Sequence, residues 1–237
     1  MSEQAAADPT SIRKGVVKRG WQLVVTGALF AALLFVPAGR LDWWQAWAFL
    51  GVFLVAVVGN ATFLLRRDPG LVAERAEAGE GNQKRWDKLL TNALTVLTIV
   101  MFLTAGLDKR FAWTEIPAPI CVVGLAFILV GNVLVAWSMS ANRFFSRVVR
   151  IQEDRGHEVC DSGPYHFVRH PGYVGMIVYT PAMAIGLGSW AAAIFAALVV
   201  AVFVVRTALE DRTLRAELPG YADYAARVRY RLVPGLW

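Results

Sequence analysis

Long apolar runs constrain the fold of this chain more than any other feature of its sequence. Four runs cover 21–39, 43–65, 89–107 and 116–139, and each is close to the length of about 20 residues with which a helix crosses a bilayer. The chain is 57% hydrophobic and only 18% charged, whereas soluble domains carry about 25% charged residues. We therefore predict an all-α, polytopic membrane protein.

A fifth apolar run covers 174–205 and is interrupted only by Gly186-Leu187-Gly188-Ser189. Its 32 residues are too many for one crossing and few for two. A helical hairpin with its turn at 186–189 fits this length, because glycine and serine favour turns. The first limb of that hairpin could be shallow, so the sequence predicts five or six transmembrane helices.

The basic residues indicate the orientation of these helices. With six crossings and the N-terminus inside, 21 of the 24 Lys and Arg residues fall on the inner side. This asymmetry obeys the positive-inside rule, and we expect the N-terminus on the cytosolic side. The net charge of +6 then reflects topology and attraction to anionic membrane lipids, and no nucleic-acid partner is predicted. The polar start of the chain shows no pattern of a cleaved signal peptide.

Polar residues concentrate in two inner segments. Residues 66–88 form a predicted connector with a short helical stretch, and the larger polar segment combines 140–172 with 206–237. This distribution divides the chain into four helices with an N-terminal segment, 1–139, and a C-terminal part, 140–237. We expect any site to lie in the C-terminal part.

The stretch SGPYHFVRHPGYVG, 162–175, stands at the mouth of the fifth apolar run. Gly163-Pro164 turns the chain, and Pro171 favours an extended residue before a helix that begins near Tyr173. The free N–H groups at a helix start can bind carboxylate or hydroxyl ligands. The stretch therefore either lines a pocket or forms a basic interfacial loop with tyrosines facing lipid.

A metal site is the weaker interpretation of the same region. All three histidines lie in 157–170, but Pro171 disfavours a helical alignment of His166 with His170. The sequence offers no convincing third ligand near them. Cys121 and Cys160 show no paired spacing, so we predict two free thiols and no bound metal.

A second polar feature lies at the far end of the fifth run. Arg206 follows Phe203-Val204-Val205 directly, and Glu210 is four residues further on. The two side chains could simply pair along one helix surface. A charge at the hydrocarbon boundary is costly, however, and commonly serves function. Together they could receive one negative and one positive ligand group.

The C-terminal part resembles a known family. The blocks GHEVCDSGPYHFVRHPGYVG, RTALED and LPGYADYAARVRYRLVPGLW, within 140–237, are similar to the isoprenylcysteine carboxyl methyltransferases and more distantly to phospholipid N-methyltransferases. The resemblance implies a multi-span helical membrane protein. It also implies an S-adenosylmethionine pocket built by the C-terminal half at the cytosolic interface.

Matched position by position, the resemblance implies roles for individual residues. Arg206 corresponds to the arginine that meets the substrate carboxylate, and Glu210 to the acid that binds the cofactor; both are candidate catalytic residues. A glutamine of eukaryotic members falls at Arg150, which is a departure from the family pattern. The implied cofactor-binding residues are His157, Glu158, Val159, Cys160, Tyr165, Arg169, His170, Pro171, Gly172, Tyr173 and Glu210.

Three functional hypotheses follow. The first is a membrane methyltransferase that modifies the carboxylate of a lipid-like or prenylated acceptor. The second keeps the methyltransferase class but changes the acceptor to a phospholipid amine or a small thiol. The third is a transporter or scaffold, which the sequence disfavours because its polar residues cluster at one interface and not at mid-span.

Overall fold

The computed structural model describes residues 9–67 and 83–237, and these residues form a helical bundle. The α-helices are α1 (Pro9–Ala38), α2 (Trp44–Arg67), α3 (Arg85–Phe111), α4 (Ala118–Ala141), α5 (Pro171–Gly186), α6 (Trp190–Glu217) and α7 (Tyr221–Arg227). Two short 3₁₀ helices, Glu153–Arg155 and Gly163–His166, lie in the segment between α4 and α5. The predicted all-α fold is confirmed.

Four helices, α2, α3, α4 and α6, are long and apolar enough to cross a membrane. The apolar part of α1, Leu23–Ala38, is shorter, and α5 has only 16 residues. Sixteen helical residues span about 24 Å, against a hydrocarbon core of about 30 Å. Whether the chain crosses five or six times therefore stays a prediction.

The helical hairpin has its turn where the sequence predicted it. Helix α5 ends at Gly186, and α6 begins at Trp190 after Gly188 with φ of +83°. The Ser189 hydroxyl accepts from the Ala192 N–H at 3.0 Å and donates to the Asp108 carboxylate of α3. This cap anchors the turn to the end of α3, away from the polar C-terminal segment.

Close contact between α4 and α5 fixes the first limb of the hairpin. A Cβ atom added at Gly131 would lie 2.6 Å from the Gly175 carbonyl oxygen, and one added at Gly175 would lie 2.6 Å from the Gly131 oxygen. Only glycine allows the two backbones to approach this closely. Helix α6 packs against α3 and α5, so the beginnings of α3 and α5 and the end of α6 lie together.

Helix α3 begins earlier than the apolar pattern predicted. The run was expected from Leu89, whereas the helix starts at Arg85 and includes Asp87 in its first turn. Asp87 counts against a membrane span in a hydropathy pattern, yet its side chain is fully buried in the bundle. The predicted connector at 66–88 falls mainly on 68–82, which lies outside the described residues.

Candidate functional site

A cavity of about 290 Å³ lies where α3 and α5 begin and α6 ends. The segment between α4 and α5 covers it, and α7 closes it from the side. Its volume is near the lower end for small-molecule sites in proteins. Of the residues that the sequence assigned to a site, all but Pro171 line this cavity, and Pro171 is buried at the start of α5.

The Tyr173–Glu210 contact joins the two limbs of the hairpin inside the cavity. The Tyr173 hydroxyl, in the first turn of α5, donates to Glu210 Oε2 of α6 at 2.6 Å. The two residues are 37 positions apart in the chain. This is the juxtaposition that the two sequence blocks required if they were to form one site.

Arg206 lines the same cavity but is not held by Glu210. Its Nε donates to Asp87 Oδ1 at 2.7 Å, and its Nη2 donates to the Arg147 carbonyl oxygen at 2.7 Å. The guanidinium carbon lies 5.7 Å from the centre of the Tyr173 ring. Arg206 therefore forms its hydrogen-bonded ion pair with Asp87 of α3 and not with an acid of its own helix.

Arg169 and His170 enter a buried network around Asp211, which is the residue after Glu210. Arg169 donates to Asp211 through Nε at 2.6 Å and Nη2 at 3.2 Å, and the His170 Nε2 lies 3.3 Å from the same carboxylate. Both partners of the Arg169–Asp211 pair are almost completely buried. These side chains therefore help to hold the cavity wall as well as lining the cavity.

The C-terminal segment is tied to this network. Tyr221 donates to Asp211 at 3.0 Å, and Arg231 donates to the other carboxylate oxygen at 3.0 Å. Burial and the neighbouring Asp211 raise the pKa of Tyr221 above its ordinary value, so the phenol stays protonated as a donor. Backbone bonds from Arg169 N to Tyr230 O and from His170 N to Arg231 O join the two segments directly.

The predicted cofactor stretch 157–160 forms another wall of the cavity. His157 Nδ1 accepts from the Gln152 N–H at 3.3 Å, and its ring packs on Phe144 with centres 4.6 Å apart. Burial, followed by the charges of Arg150 and Arg155, lowers the pKa of His157 below its ordinary value. The imidazole is therefore neutral at pH 7, which its role as acceptor requires.

Aromatic side chains and a glycine shape the rest of the wall. Tyr165 is buried, and its carbonyl oxygen accepts from the Tyr224 hydroxyl at 2.7 Å. Gly172 faces Phe145, where an added Cβ would lie 2.6 Å from the ring atom Cε2. A side chain at position 172 would push Phe145 and its loop off the start of α5.

The histidines do not form a metal centre in the described part of the chain. His166 is exposed, whereas His157 and His170 lie in the cavity wall. Across 9–67 and 83–237, no three His, Cys, Asp or Glu side chains lie close enough to hold a metal ion. Both cysteines are free thiols, and Cys160 lines the cavity.

Asp87, which pairs with Arg206 of the cavity lining, is among the residues that the sequence did not suggest, because it lies far from the motif blocks. A possible signal was its type and place: an acid next to a tryptophan at the start of an apolar run. The protein is thus of the class of multi-pass helical membrane proteins, and its C-terminal half, with α3, encloses a cavity lined by both charged and apolar side chains.

Comparisons with known proteins agree with this class. The family model described as "Phospholipid methyltransferase" matches residues 120–218. Protein-S-isoprenylcysteine O-methyltransferase B of Arabidopsis thaliana is 30% identical over 108 residues, which are 44% of this chain and 55% of the plant protein. A probable protein-S-isoprenylcysteine O-methyltransferase of Oryza sativa subsp. indica is 34% identical over 58 residues, 24% of this chain and 30% of that protein.

The fold has a solved counterpart. The structure of the eukaryotic intramembrane Ras methyltransferase, isoprenylcysteine carboxyl methyltransferase, superposes with a TM-score of 0.51 at 18% identity. The match covers 88% of this chain and 74% of the solved chain. The chain spans about half the length, or less, of the curated relatives it matches. The family model and the plant relatives are all described as methyltransferases, and this chain is similar to them over part of its length, whereas the solved structure shares its fold.

Proposed function

We propose that the protein is an S-adenosylmethionine-dependent methyltransferase that modifies the carboxylate of an isoprenylcysteine or a similar lipid-like acceptor. One observation carries the proposal: distant segments of the chain meet at a single cavity, where Tyr173 donates to Glu210 and Arg206 lies alongside. Residues 140–237 supply most of this site. The excess of basic residues on one side of the helices supports a cytosolic position for the N-terminus and the cavity.

The residues of the cavity suit the proposed cofactor. S-adenosylmethionine carries an ammonium and a sulfonium cation, a carboxylate and a purine ring. Glu210 is a carboxylate acceptor inside the cavity, and Glu158 is another at its edge. Aromatic faces favour cations and planar rings, and the wall includes Phe144, Phe145 and Tyr165. We assign the remaining predicted residues of 157–160 and 169–173 to the same binding role.

The chemistry asks little of the protein beyond placement. When bound, the cofactor supplies a methyl group on a cationic sulfur, and the carbon–sulfur bond breaks as a carbon–oxygen bond forms. An acceptor carboxylate with a pKa near 4 is already ionised at pH 7, so no general base is needed. Arg206 orients that carboxylate by charge-assisted hydrogen bonds. The aromatic wall would keep water away from the reacting atoms, which have to lie about 3–3.5 Å apart for transfer.

The acceptor is proposed to be lipid-like because one side of the cavity is apolar. Leu94, Met176 and Phe203 contribute to this side. Leu94 and Phe203 also belong to a hydrophobic cluster with Tyr173, next to the reactive end of the cavity. A prenyl or acyl chain lying against these residues would leave its polar end beside Arg206. Membrane lipids are thus both the surroundings and a source of acceptors.

A phospholipid amine is the second candidate acceptor. The description of the matching family model, phospholipid methyltransferase, favours it. An amine would have to lose a proton before transfer, and Glu210 or His170 would be the nearest candidates to accept it. The two acceptors give products of different stability, because a methyl ester is labile to base and a methylated amine is not.

The test uses purified full-length protein in detergent and cofactor labelled on its methyl group. A prenylated cysteine with a free carboxylate and the corresponding amide are offered separately. We expect base-labile label in the acid only, and calorimetric binding of the cofactor. Arg206→Ala should remove transfer, whereas Arg212→Ala, an exposed arginine of the same helix, should not. Absence of both cofactor binding and transfer in the wild type would refute the proposal; base-stable label in phospholipid would favour the second candidate.

A further inference from the structure

Asp87 is a buried carboxylate that contacts two residues of the cavity lining, Arg206 and Val149, and neither the motif blocks nor the matched range 120–218 includes it. Its side chain is 0% exposed. Oδ1 accepts from Arg206 Nε at 2.7 Å, and Oδ2 accepts from Gln83 Nε2 at 2.9 Å and from the Val149 N–H at 2.8 Å. The carboxylate also lies in the first turn of α3, where the helix dipole stabilises negative charge.

Asp87 fixes the orientation of the Arg206 guanidinium. Its bond to Nε and the bond from Nη2 to the Arg147 carbonyl oxygen together hold two of the five N–H groups. The planar guanidinium then has little freedom to rotate. Because Arg206 also lines the cavity, fixing these bonds fixes how the arginine presents itself to a ligand there.

Asp87 also keeps Arg206 away from Glu210. An arginine and a glutamate four residues apart on a helix ordinarily pair with each other. Here Arg206 is 7% exposed, so it needs a close ionic partner, and Asp87 is that partner. Glu210 can then accept from Tyr173 instead and stay directed into the cavity. Without Asp87, the nearest carboxylate on the same helix surface as Arg206 would be Glu210.

We propose that Asp87 is a positioning residue for methyl transfer, which holds Arg206 in the orientation that receives the acceptor carboxylate and leaves Glu210 for the cofactor. This inference rests on the proposed function. It gives the N-terminal half of the chain a part in the site. Helix α3 supplies the counter-charge without which the arginine of α6 would collapse onto its own glutamate.

A merely structural role for Asp87 is the competing explanation. Asp87 binds the Val149 N–H, and Lys84 N donates to the Val149 carbonyl oxygen, so this part of α3 also supports the loop over the cavity. The two roles predict different behaviour when Arg206 is already removed. If Asp87 acts through Arg206, removing Asp87 should lower kcat little further once Arg206 has been replaced. If Asp87 acts through the loop, the two losses in kcat should multiply in the double variant.

The experiment compares Asp87→Asn, Arg206→Gln and their combination in methyl transfer to the prenylated cysteine. Asp108→Asn is the matched control, because Asp108 is a second buried acid of α3 that is hydrogen-bonded to Thr114 and Ser189 at the far end of the bundle. We expect Asp87→Asn to lower kcat on the order of 100-fold, as misplacement of a reactive group does. The kcat of Asp108→Asn should stay within about threefold of the wild-type value. The kcat of the double variant should be at most about threefold lower than that of Arg206→Gln alone.

Two outcomes of this comparison overturn the inference. Asp87→Asn with turnover near that of the wild type would do so, as would a double variant that loses a further factor of about 100. If Asp87→Asn does not fold, Asp87→Glu decides, since it keeps the charge but displaces it: turnover at the wild-type level overturns the inference, and a loss of about tenfold with cofactor binding retained supports it. A wild type that binds cofactor and transfers methyl, but tolerates the Asp87 variants, contradicts only this inference; an inert wild type refutes the proposed function itself.

Discussion

Asp211→Asn should destabilise the protein by about 3–5 kcal/mol, because it removes one partner from a buried ion pair. Asp211 is 0% exposed, and its main partner Arg169 has a side chain that is 2% exposed. The substitution keeps the shape of the side chain but leaves the Arg169 charge without its counter-charge. Tyr221 and Arg231 lose a charged acceptor at the same time, so α7 and the C-terminal segment loosen from the start of α5.

Thermal unfolding of the detergent-solubilised protein, followed by tryptophan fluorescence, measures this loss. A change of 3–5 kcal/mol corresponds to a fall in Tm of roughly 6–20 °C for a chain of this size. Asp161→Asn is the control, since the Asp161–Arg227 pair is exposed at 59% and 67% and should contribute no more than about 1 kcal/mol. Equal Tm values for the two variants would refute the reasoning that the Asp211 network holds the cavity wall.

Three further predictions concern the cavity and the helix packing. Glu210→Gln should weaken cofactor binding by about 10- to 100-fold in calorimetry, as loss of a hydrogen bond to a charged group does. Glu153→Gln, at an exposed acid that does not line the cavity, should change it little; equal effects would contradict the role of Glu210. Gly131→Val should lower Tm because its side chain would meet the α5 backbone, whereas Gly51→Val has open space around it and should be tolerated. The pKa of His157 is lowered in the folded state, so its contribution to stability is present above its unfolded pKa near 6.5 and is lost as pH falls. Tm should therefore drop between about pH 7.5 and 5.5. His157→Gln should flatten this part of the profile of Tm against pH, and an unchanged slope would contradict the prediction.

The apolar pattern predicted the fold class well, because a bilayer requires long apolar helices whatever their packing. The hairpin turn at 186–189 was also predictable, since length and turn residues alone required it. The start of α3 was not, because Asp87 looks like a residue outside the membrane until its buried partner Arg206 is known. The number of membrane crossings was not predictable for α1 and α5 either. Their apolar segments are about 24 Å long, and this length alone does not decide whether a helix crosses the bilayer.

By itself, the sequence determined that the chain is a bundle of membrane helices with its polar chemistry gathered in the C-terminal part. These are properties of composition and local order, which hydropathy and turn residues encode directly. Only the tertiary structure decided which charges meet. Arg206 pairs with Asp87, 119 positions away, and not with Glu210 on its own helix. In a buried site such pairing depends on which side chains are brought within about 3 Å of each other, and sequence spacing along one helix does not contain that information.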